Sequence, residues 1–158
     1  HIWLDPVQMV VAVCRVRDAL IEADPEHQVQ FQVNADVLIE ELHDLDAALS
    51  RQMSPYAGRS FFINHPALGH FATRYGLRQM SIEHAGSAPS ARRIADLIEV
   101  ARAERVSAIF TQPEFGRTTA TVLARALNVE VLELDILSED YLVSMQQIAD
   151  RLEKGFAR

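Results

Sequence analysis

Apolar residues in the first third of the chain recur at helical spacing, in two blocks separated by Asp24 and Pro25. Residues 6–23 favour one helix with Asp5 as its N-cap, although their valines leave a strand open. In the second block the apolar residues recur at alternating steps of four and three, which predicts a single helix of about 25 residues and about 40 Å. The residues of this seam are Phe31, Ala35, Leu38, Leu42, Leu45 and Leu49.

After residue 58 the pattern changes to short apolar runs that alternate with helical periods. Four β–α units in succession predict a parallel sheet with right-handed crossovers, and we expect the strand order 2-1-3-4. The fold class is α/β: a long helix followed by a four-stranded parallel sheet lobe with helices on both faces. The strands are SFFIN, QMSIE, SAIFTQ and VEVLEL, and the helices begin near Pro66, Ser90, Arg117 and Asp140.

Composition and charge narrow the classes of partner. The 158 residues are 49% hydrophobic, which is ample for a packed core, and the net charge is −7 at pH 7. Nucleic acids and anionic membranes favour basic surfaces, so we expect no nucleic-acid partner. The single Cys14 can form no internal disulfide. The chain starts HIWLDP with no signal peptide, and we expect it to be a fragment of a longer protein.

The ends of the predicted strands carry the residues that could bind a ligand, because open parallel sheets bind ligands beyond the carboxyl ends of their strands. Histidine and carboxylate side chains are metal ligands, and His65 and Asp135 can reach a common point because one strand separates theirs. Two protein ligands are too few for zinc, so His1 is a third candidate. A structural role as a helix cap also explains Asp135. The residues at these ends are His65, His84, Gln112, Glu114 and Asp135.

The remaining histidines are weaker candidates for a metal site. His70 follows His65 by five positions, which turns it about 140° away on a helix, so the two cannot easily share one metal. His27 and His43 fall on the polar side of the long helix. We expect these three, and His84, to be surface or helix-packing residues.

A different class of protein stays open at this point: a flavodoxin-like nucleotide- or phosphate-binding module or enzyme. In that interpretation the Gly86–Ser87 loop and Ser90 bind phosphate at a helix start, with help from Arg92 and Arg93. A loop with one glycine is a weak signal, and a capping role for Ser90 with solvated arginines explains the same residues better.

Five segments taken in order resemble the second half of the metal-specific solute-binding proteins of ABC importers, the zinc and manganese uptake receptors. They are HIWLDP, the long helix, FFINHPALGHFATRYGL, SAIFTQPEF and VLELD, and they cover essentially the whole chain. In that family the positions of His1, His65 and Asp135 hold metal ligands, so the resemblance implies that these three residues bind a divalent metal. His70 stands where the family usually has tyrosine and should only pack.

The resemblance also implies a domain organisation. Family members have two α/β lobes joined by one long rigid helix, with the metal in the cleft between the lobes. Residues 1–24 would then be the remnant of a first lobe, residues 25–53 the long linker helix, and residues 59–158 the C-terminal α/β metal-binding lobe.

The function that the resemblance implies is not enzymatic. We expect the substrate-binding component of an ABC-type metal importer, periplasmic or lipid-anchored at the outer face of the cell membrane, which delivers a divalent metal to a membrane permease. Zinc is the first choice and manganese the second, because manganese receptors tend to carry glutamate at the position of His65.

Two departures and one missing part affect this expectation. Ile136 follows Asp135 where the family commonly has proline, and Gln112 replaces a usual glutamate near the cleft, with Glu114 in the neighbouring place. Because one lobe and its ligand are absent, the isolated chain should bind zinc weakly or not at all. Its uncovered apolar surface should favour a two-fold homodimer.

Overall fold

Two long helices occupy the first third of the chain. In the computed structural model, which describes residues 1–83 and 89–157, α1 spans Pro6–Ala23 and α2 spans Gln28–Met53. The predicted cap of α1 is confirmed, because the Asp5 carboxylate accepts a hydrogen bond of 2.9 Å from the amide of Val7. The 26 residues of α2 make a rod of about 39 Å. No helix in the described ranges is long and apolar enough to cross a membrane.

The rest of the described chain alternates strands and helices around one parallel sheet. Its strand order is β2-β1-β3-β4, which confirms the predicted order. In the register of the sheet, Phe62 on β1 lies opposite Met80 of β2 and Ile109 of β3. The elements are β1 (Ser60–Ile63), α3 (Gly69–Arg74), β2 (Arg78–Ser81), α4 (Ala91–Ala103), β3 (Ala108–Thr111), α5 (Thr118–Leu127), β4 (Glu130–Glu133) and α6 (Tyr141–Phe156), and 3-10 turns span Ile2–Leu4, Pro25–His27 and Ser54–Tyr56.

Helices cover both faces of the sheet, as the sequence pattern predicts. Alternate residues of each strand point to opposite faces, so β1 sends Phe61 and Ile63 to one core and Phe62 to the other. The first core packs the sheet against α2, α3 and α6, and the second packs it against α4 and α5. This arrangement leaves the carboxyl ends of the strands as one edge of the lobe.

The helix predicted to begin near Pro66 begins three residues later, at Gly69. The amides ahead of it are engaged elsewhere: Ala67 donates to the carbonyl of His65, and Leu68 donates to the side chain of Gln79 at 2.6 Å. Residues 65–68 therefore form a turn instead of a first helical turn. The other three predicted starts, Ser90, Arg117 and Asp140, are the N-caps of α4, α5 and α6.

The apolar seam of α2 has two surroundings along its length. Leu45, Leu49 and Met53 are buried in the core that α3 and α6 share. Near the other end, Phe31 and Leu38 line a groove between α1 and α2, and Leu38 is exposed. The apolar seam of α2 therefore contributes to the core of the lobe at one end and lines an open groove beside α1 at the other.

Candidate metal site

His65 lies at the carboxyl edge of the sheet, two residues after β1, and its backbone is held from β3. The buried Gln112 donates from Nε2 to the carbonyl of His65 at 2.8 Å and accepts from the amide of His65 at 3.3 Å. This paired contact satisfies both polar groups of one backbone residue. The sequence placed Gln112 near the cleft, but the structure shows that its side chain is engaged with the backbone of His65.

The imidazole of His65 has neighbours on three sides. Its ring stacks on Phe115 with ring centres 4.3 Å apart and planes 10° from parallel. The ring of His1 lies 5.1 Å away at 68°. Nδ1 of His65 is 3.8 Å from Oε2 of Glu83, the second residue after β2. His65 is therefore a partly buried, oriented imidazole whose remaining exposed part lies at the sheet edge.

Glu83 is itself held in place by Asn64, the residue before His65. The Asn64 amide donates from Nδ2 to Oε1 of Glu83 at 2.9 Å and to the carbonyl of Gly116 at 3.3 Å. The backbone of Glu83 also donates to the carbonyl of Asn64. One carboxylate oxygen of Glu83 is thus engaged, and the other faces the ring of His65.

The segment that carries His1 is tied to the loop after β4. Trp3 donates from its indole nitrogen to the carbonyl of Ile136 at 3.2 Å, and the hydroxyl of Tyr141 donates to the carbonyl of Trp3 at 2.7 Å. Burial raises the pKa of Tyr141, so its hydroxyl keeps the proton that it donates. These bonds place the first residues of the chain between His65 and the Asp135 loop.

Asp135 is exposed on that loop, two residues beyond β4. Its carboxylate accepts a hydrogen bond of 3.0 Å from the amide of Leu137, and its carbonyl accepts one from the hydroxyl of Ser144. The alternative role as the cap of the next helix is wrong, because Asp140 caps α6. Asp135 therefore shapes a loop and leaves part of its carboxylate open to solvent.

The structure brings some of the predicted site residues together and leaves others apart. His1 and His65 are in ring contact, whereas Glu114 is exposed on the loop after β3. Across residues 1–83 and 89–157, no three His, Cys, Asp or Glu side chains form a group that could hold a metal ion. His84 lies outside the described residues. His27, His43 and His70 are all exposed, in keeping with the expectation that they are surface or packing residues.

Three neighbours of His65 were not predicted from the sequence. Glu83 is the last residue of the predicted strand QMSIE, and that position at a strand end indicates the same edge of the sheet. Phe115 and Asn64 carried no such signal, because an aromatic loop residue and a strand-end asparagine are common in every α/β lobe.

A long helix packed on a parallel α/β lobe, with two histidine rings in contact at the carboxyl edge, is the architecture of a metal-type solute-binding protein. The chain belongs to the family described as "Zinc-uptake complex component A periplasmic", whose model matches residues 1–155. The family expected from the sequence motifs is thereby confirmed.

Individual relatives agree with this assignment. The zinc-binding protein AdcA of Streptococcus pyogenes serotype M3 (strain ATCC BAA-595 / MGAS315) is 33% identical over 139 residues, which cover 87% of this chain and 27% of that protein. The zinc-binding lipoprotein AdcA of Streptococcus pneumoniae (strain ATCC BAA-255 / R6) is 30% identical over 160 residues, with coverage of 98% and 32%. The chain thus spans about a third or less of the length of these two relatives.

The fold has a close counterpart among solved structures. The crystal structure of ZnuA matches with a TM-score of 0.96 and 28% sequence identity, over 98% of this chain and 59% of the ZnuA chain. The six helices and the four-stranded parallel sheet described above correspond to that fold.

Proposed function

We propose that the protein containing this chain is the substrate-binding component of an ABC-type metal importer and that it binds zinc. The contact between the rings of His1 and His65, 5.1 Å apart, carries the proposal. Two imidazoles that each place a nitrogen about 2.0 to 2.1 Å from one zinc ion have ring centres about 5 Å apart when the metal is tetrahedral. The observed spacing is compatible with that geometry.

Asp135 is the third proposed ligand. The hydrogen bonds of Trp3 and Tyr141 connect the chain beside His1 to the loop that carries Asp135, which supports its carboxylate as the donor that joins the histidine pair when the metal binds. Gln112 and Glu114 are neighbours of this cleft, and Gln112 supports it through the backbone of His65. A fourth donor, from a first lobe, would complete the coordination that zinc prefers.

The domain organisation and biological setting follow from the same proposal. Residues 1–24 belong to the first lobe, 25–53 form the linker helix, and 59–158 form the second lobe, with the metal cleft between the lobes. The receptor works in the periplasm or as a lipoprotein at the outer face of the cell membrane, passes its metal to a membrane permease and has no enzymatic activity. The names of the AdcA relatives favour zinc over manganese.

The rival class, a phosphate- or nucleotide-binding module, is not favoured. Its Gly86–Ser87 loop lies outside the described residues. The hydroxyl of Ser90 accepts a hydrogen bond of 3.3 Å from the amide of Arg93 and so caps α4, which is the structural role expected of it.

Calorimetric zinc titration of the intact receptor tests the proposed ligands. Replacing His65 or Asp135 with alanine should weaken zinc binding at least tenfold, about 1.4 kcal/mol or more, with circular dichroism and thermal unfolding nearly unchanged. His70→Ala is the matched control, because His70 is exposed on α3, and it should bind zinc like the parent. Unchanged affinity in both ligand variants would overturn the site assignment.

A further inference from the structure

We propose that Glu83 is a positioning residue for the metal site: its carboxylate accepts the Nδ1 proton of His65 and leaves the Nε2 lone pair to face the cleft. This inference rests on the proposed function, because it gives Glu83 a role in orienting His65, which is one of the proposed zinc ligands. Glu83 is not among the residues that the sequence motifs select. Its place depends on strand register, which brings the residues after β1 and β2 side by side.

The distance between the two groups supports this role. Nδ1 of His65 and Oε2 of Glu83 are 3.8 Å apart, and both side chains are mostly buried. A shift of about 1 Å would bring them to hydrogen-bond distance. Stacking on Phe115 restricts tilting of the imidazole, and Gln112 fixes its backbone, so the ring is held beside the carboxylate that would close the gap.

Asn64 sets the orientation of the carboxylate. Its Nδ2 donates to Oε1 of Glu83 and to the carbonyl of Gly116, which is possible only while the amide nitrogen points toward both acceptors. Oε1 is therefore occupied, and Oε2 is the oxygen left for His65. Asn64 is 2% exposed, so water does not compete readily for these bonds.

The consequence for His65 is a choice of tautomer. A neutral imidazole carries one proton, and an acceptor at Nδ1 keeps the proton there, so that Nε2 is free to bind a metal. Carboxylate partners of this kind orient metal-binding histidines in general, and their loss costs about 10 to 100-fold in metal affinity.

The Glu83→Gln variant tests the idea because Asn64 dictates how the introduced amide must lie. The introduced glutamine side chain would turn its oxygen toward Nδ2 of Asn64 and its NH2 group toward His65, so Nδ1 would face a donor instead of an acceptor. We expect the proton of His65 to move to Nε2 and zinc affinity of the intact receptor to fall about 10 to 100-fold.

The double variant Asn64→Asp with Glu83→Gln should restore the original tautomer. The introduced aspartate would accept from the NH2 group of the introduced glutamine, so the glutamine oxygen would face Nδ1 of His65 as the native carboxylate does. The pair keeps its size and its total charge. Recovery of most of the lost zinc affinity is expected, although the bond to the carbonyl of Gly116 is given up.

Two measurements on the intact receptor decide the question. Nitrogen-15 NMR of the imidazoles without metal, in mildly alkaline solution, reports the tautomer of His65, and zinc calorimetry reports affinity. Glu99→Gln is the control, because Glu99 is exposed on α4 and pairs with Arg102, and it should change neither.

The outcomes separate this inference from the proposed function. A switch to Nε2–H in Glu83→Gln that the double variant reverses supports the positioning role, even if the parent receptor binds another metal than zinc. An unchanged tautomer in Glu83→Gln overturns it. Loss of affinity that the double variant does not restore also overturns it, because Glu83 would then act as a ligand itself.

Discussion

Gly155 lies where α6 crosses β3, and a larger side chain there would meet the core. A Cβ atom on Gly155 would lie 2.6 Å from Cζ of Phe110 and 3.1 Å from Cβ of Ala108. Phe110 is fully buried, with its ring edge-on to Phe61 at 5.9 Å, so it has little room to move aside. From the sequence alone, this glycine would be expected only to destabilise its helix. Its packing role depends on the path of α6 over the sheet.

We therefore expect Gly155→Ala to lower the free energy of unfolding by about 1 to 3 kcal/mol, even though alanine favours helices, because overpacking costs more than helix propensity returns. Urea denaturation followed by circular dichroism measures the change. Gly69→Ala is the matched control: the nearest atom to a Cβ there is 3.8 Å away, so stability should stay the same or rise slightly. Equal stability of Gly155→Ala and the parent would contradict this account of the α6 contact.

Only part of the candidate site around His65 could be predicted from the sequence. His65 could be predicted as a candidate ligand, because a histidine between a buried strand and a proline stands at the one edge where such sheets bind ligands. The contacts that Glu83 and Gln112 make with it could not be predicted, because these residues lie 18 and 47 positions away along the chain. Their contacts depend on strand register, which a single sequence does not determine.

At the scale of elements, the long helix α2 is joined to α3 by an ion pair. Arg74 donates to both carboxylate oxygens of Asp46, and the hydroxyl of Tyr75 donates to the same group at 3.0 Å. The hydrogen bonds from Arg74 hold the pKa of Asp46 below its ordinary value of 3.8, against the opposing effect of burial. Burial raises the pKa of Tyr75, so that hydroxyl remains a donor.

Asp46→Asn should lower the free energy of unfolding by about 1 to 2 kcal/mol at neutral pH, because bonds to a charged group are lost from a partly buried site that solvent screens in part. A lowered carboxyl pKa stabilises the folded state above the unfolded pKa, and this contribution is lost as pH falls through the folded pKa. The difference in the free energy of unfolding between parent and variant should therefore be constant above about pH 5 and become smaller below about pH 4. Thermal unfolding at a series of pH values measures it.

Asp44→Asn provides the control for that experiment, since Asp44 is exposed on the same helix two positions earlier. It should leave the unfolding temperature almost unchanged at every pH. If Asp46→Asn instead matched the parent at neutral pH, the link between α2 and α3 would contribute nothing to stability.

Element boundaries were predictable where the chain carries its own capping groups. Asp5, Ser90 and Asp140 each accept a hydrogen bond from an amide in the first helical turn, and local sequence was enough to find them. The start of α3 was not predictable, because the side chain of Gln79 on β2 takes the amide of Leu68. A bond from another strand overrode the preference of Pro66 for a first helical position.

At the scale of the whole molecule, α1 and α2 form a groove between them with an apolar lining and a volume of about 400 Å³. The groove is open, and several of its side chains, including Val16, Leu20 and Leu38, are exposed. Under the two-lobe organisation proposed above, this surface is uncovered in the isolated 158-residue chain. Apolar surface of this kind favours association. The remaining lining residues are Met9, Ala12, Val13, Arg17, Phe31, Asn34 and Ala35.

The isolated chain should therefore form a two-fold homodimer through this groove, since a self-complementary contact closes after two copies. Sedimentation equilibrium should show the dimer, and Val16→Glu combined with Leu20→Glu should convert it to a monomer by burying charge in the contact. Val122→Glu, an exposed valine on α5, should leave the dimer intact. Because His1 and His65 are present without a first lobe, both forms should bind zinc weakly. A monomeric parent chain would contradict the dimer, and tight stoichiometric zinc binding by such a monomer would contradict the division of the receptor into two lobes that share one site.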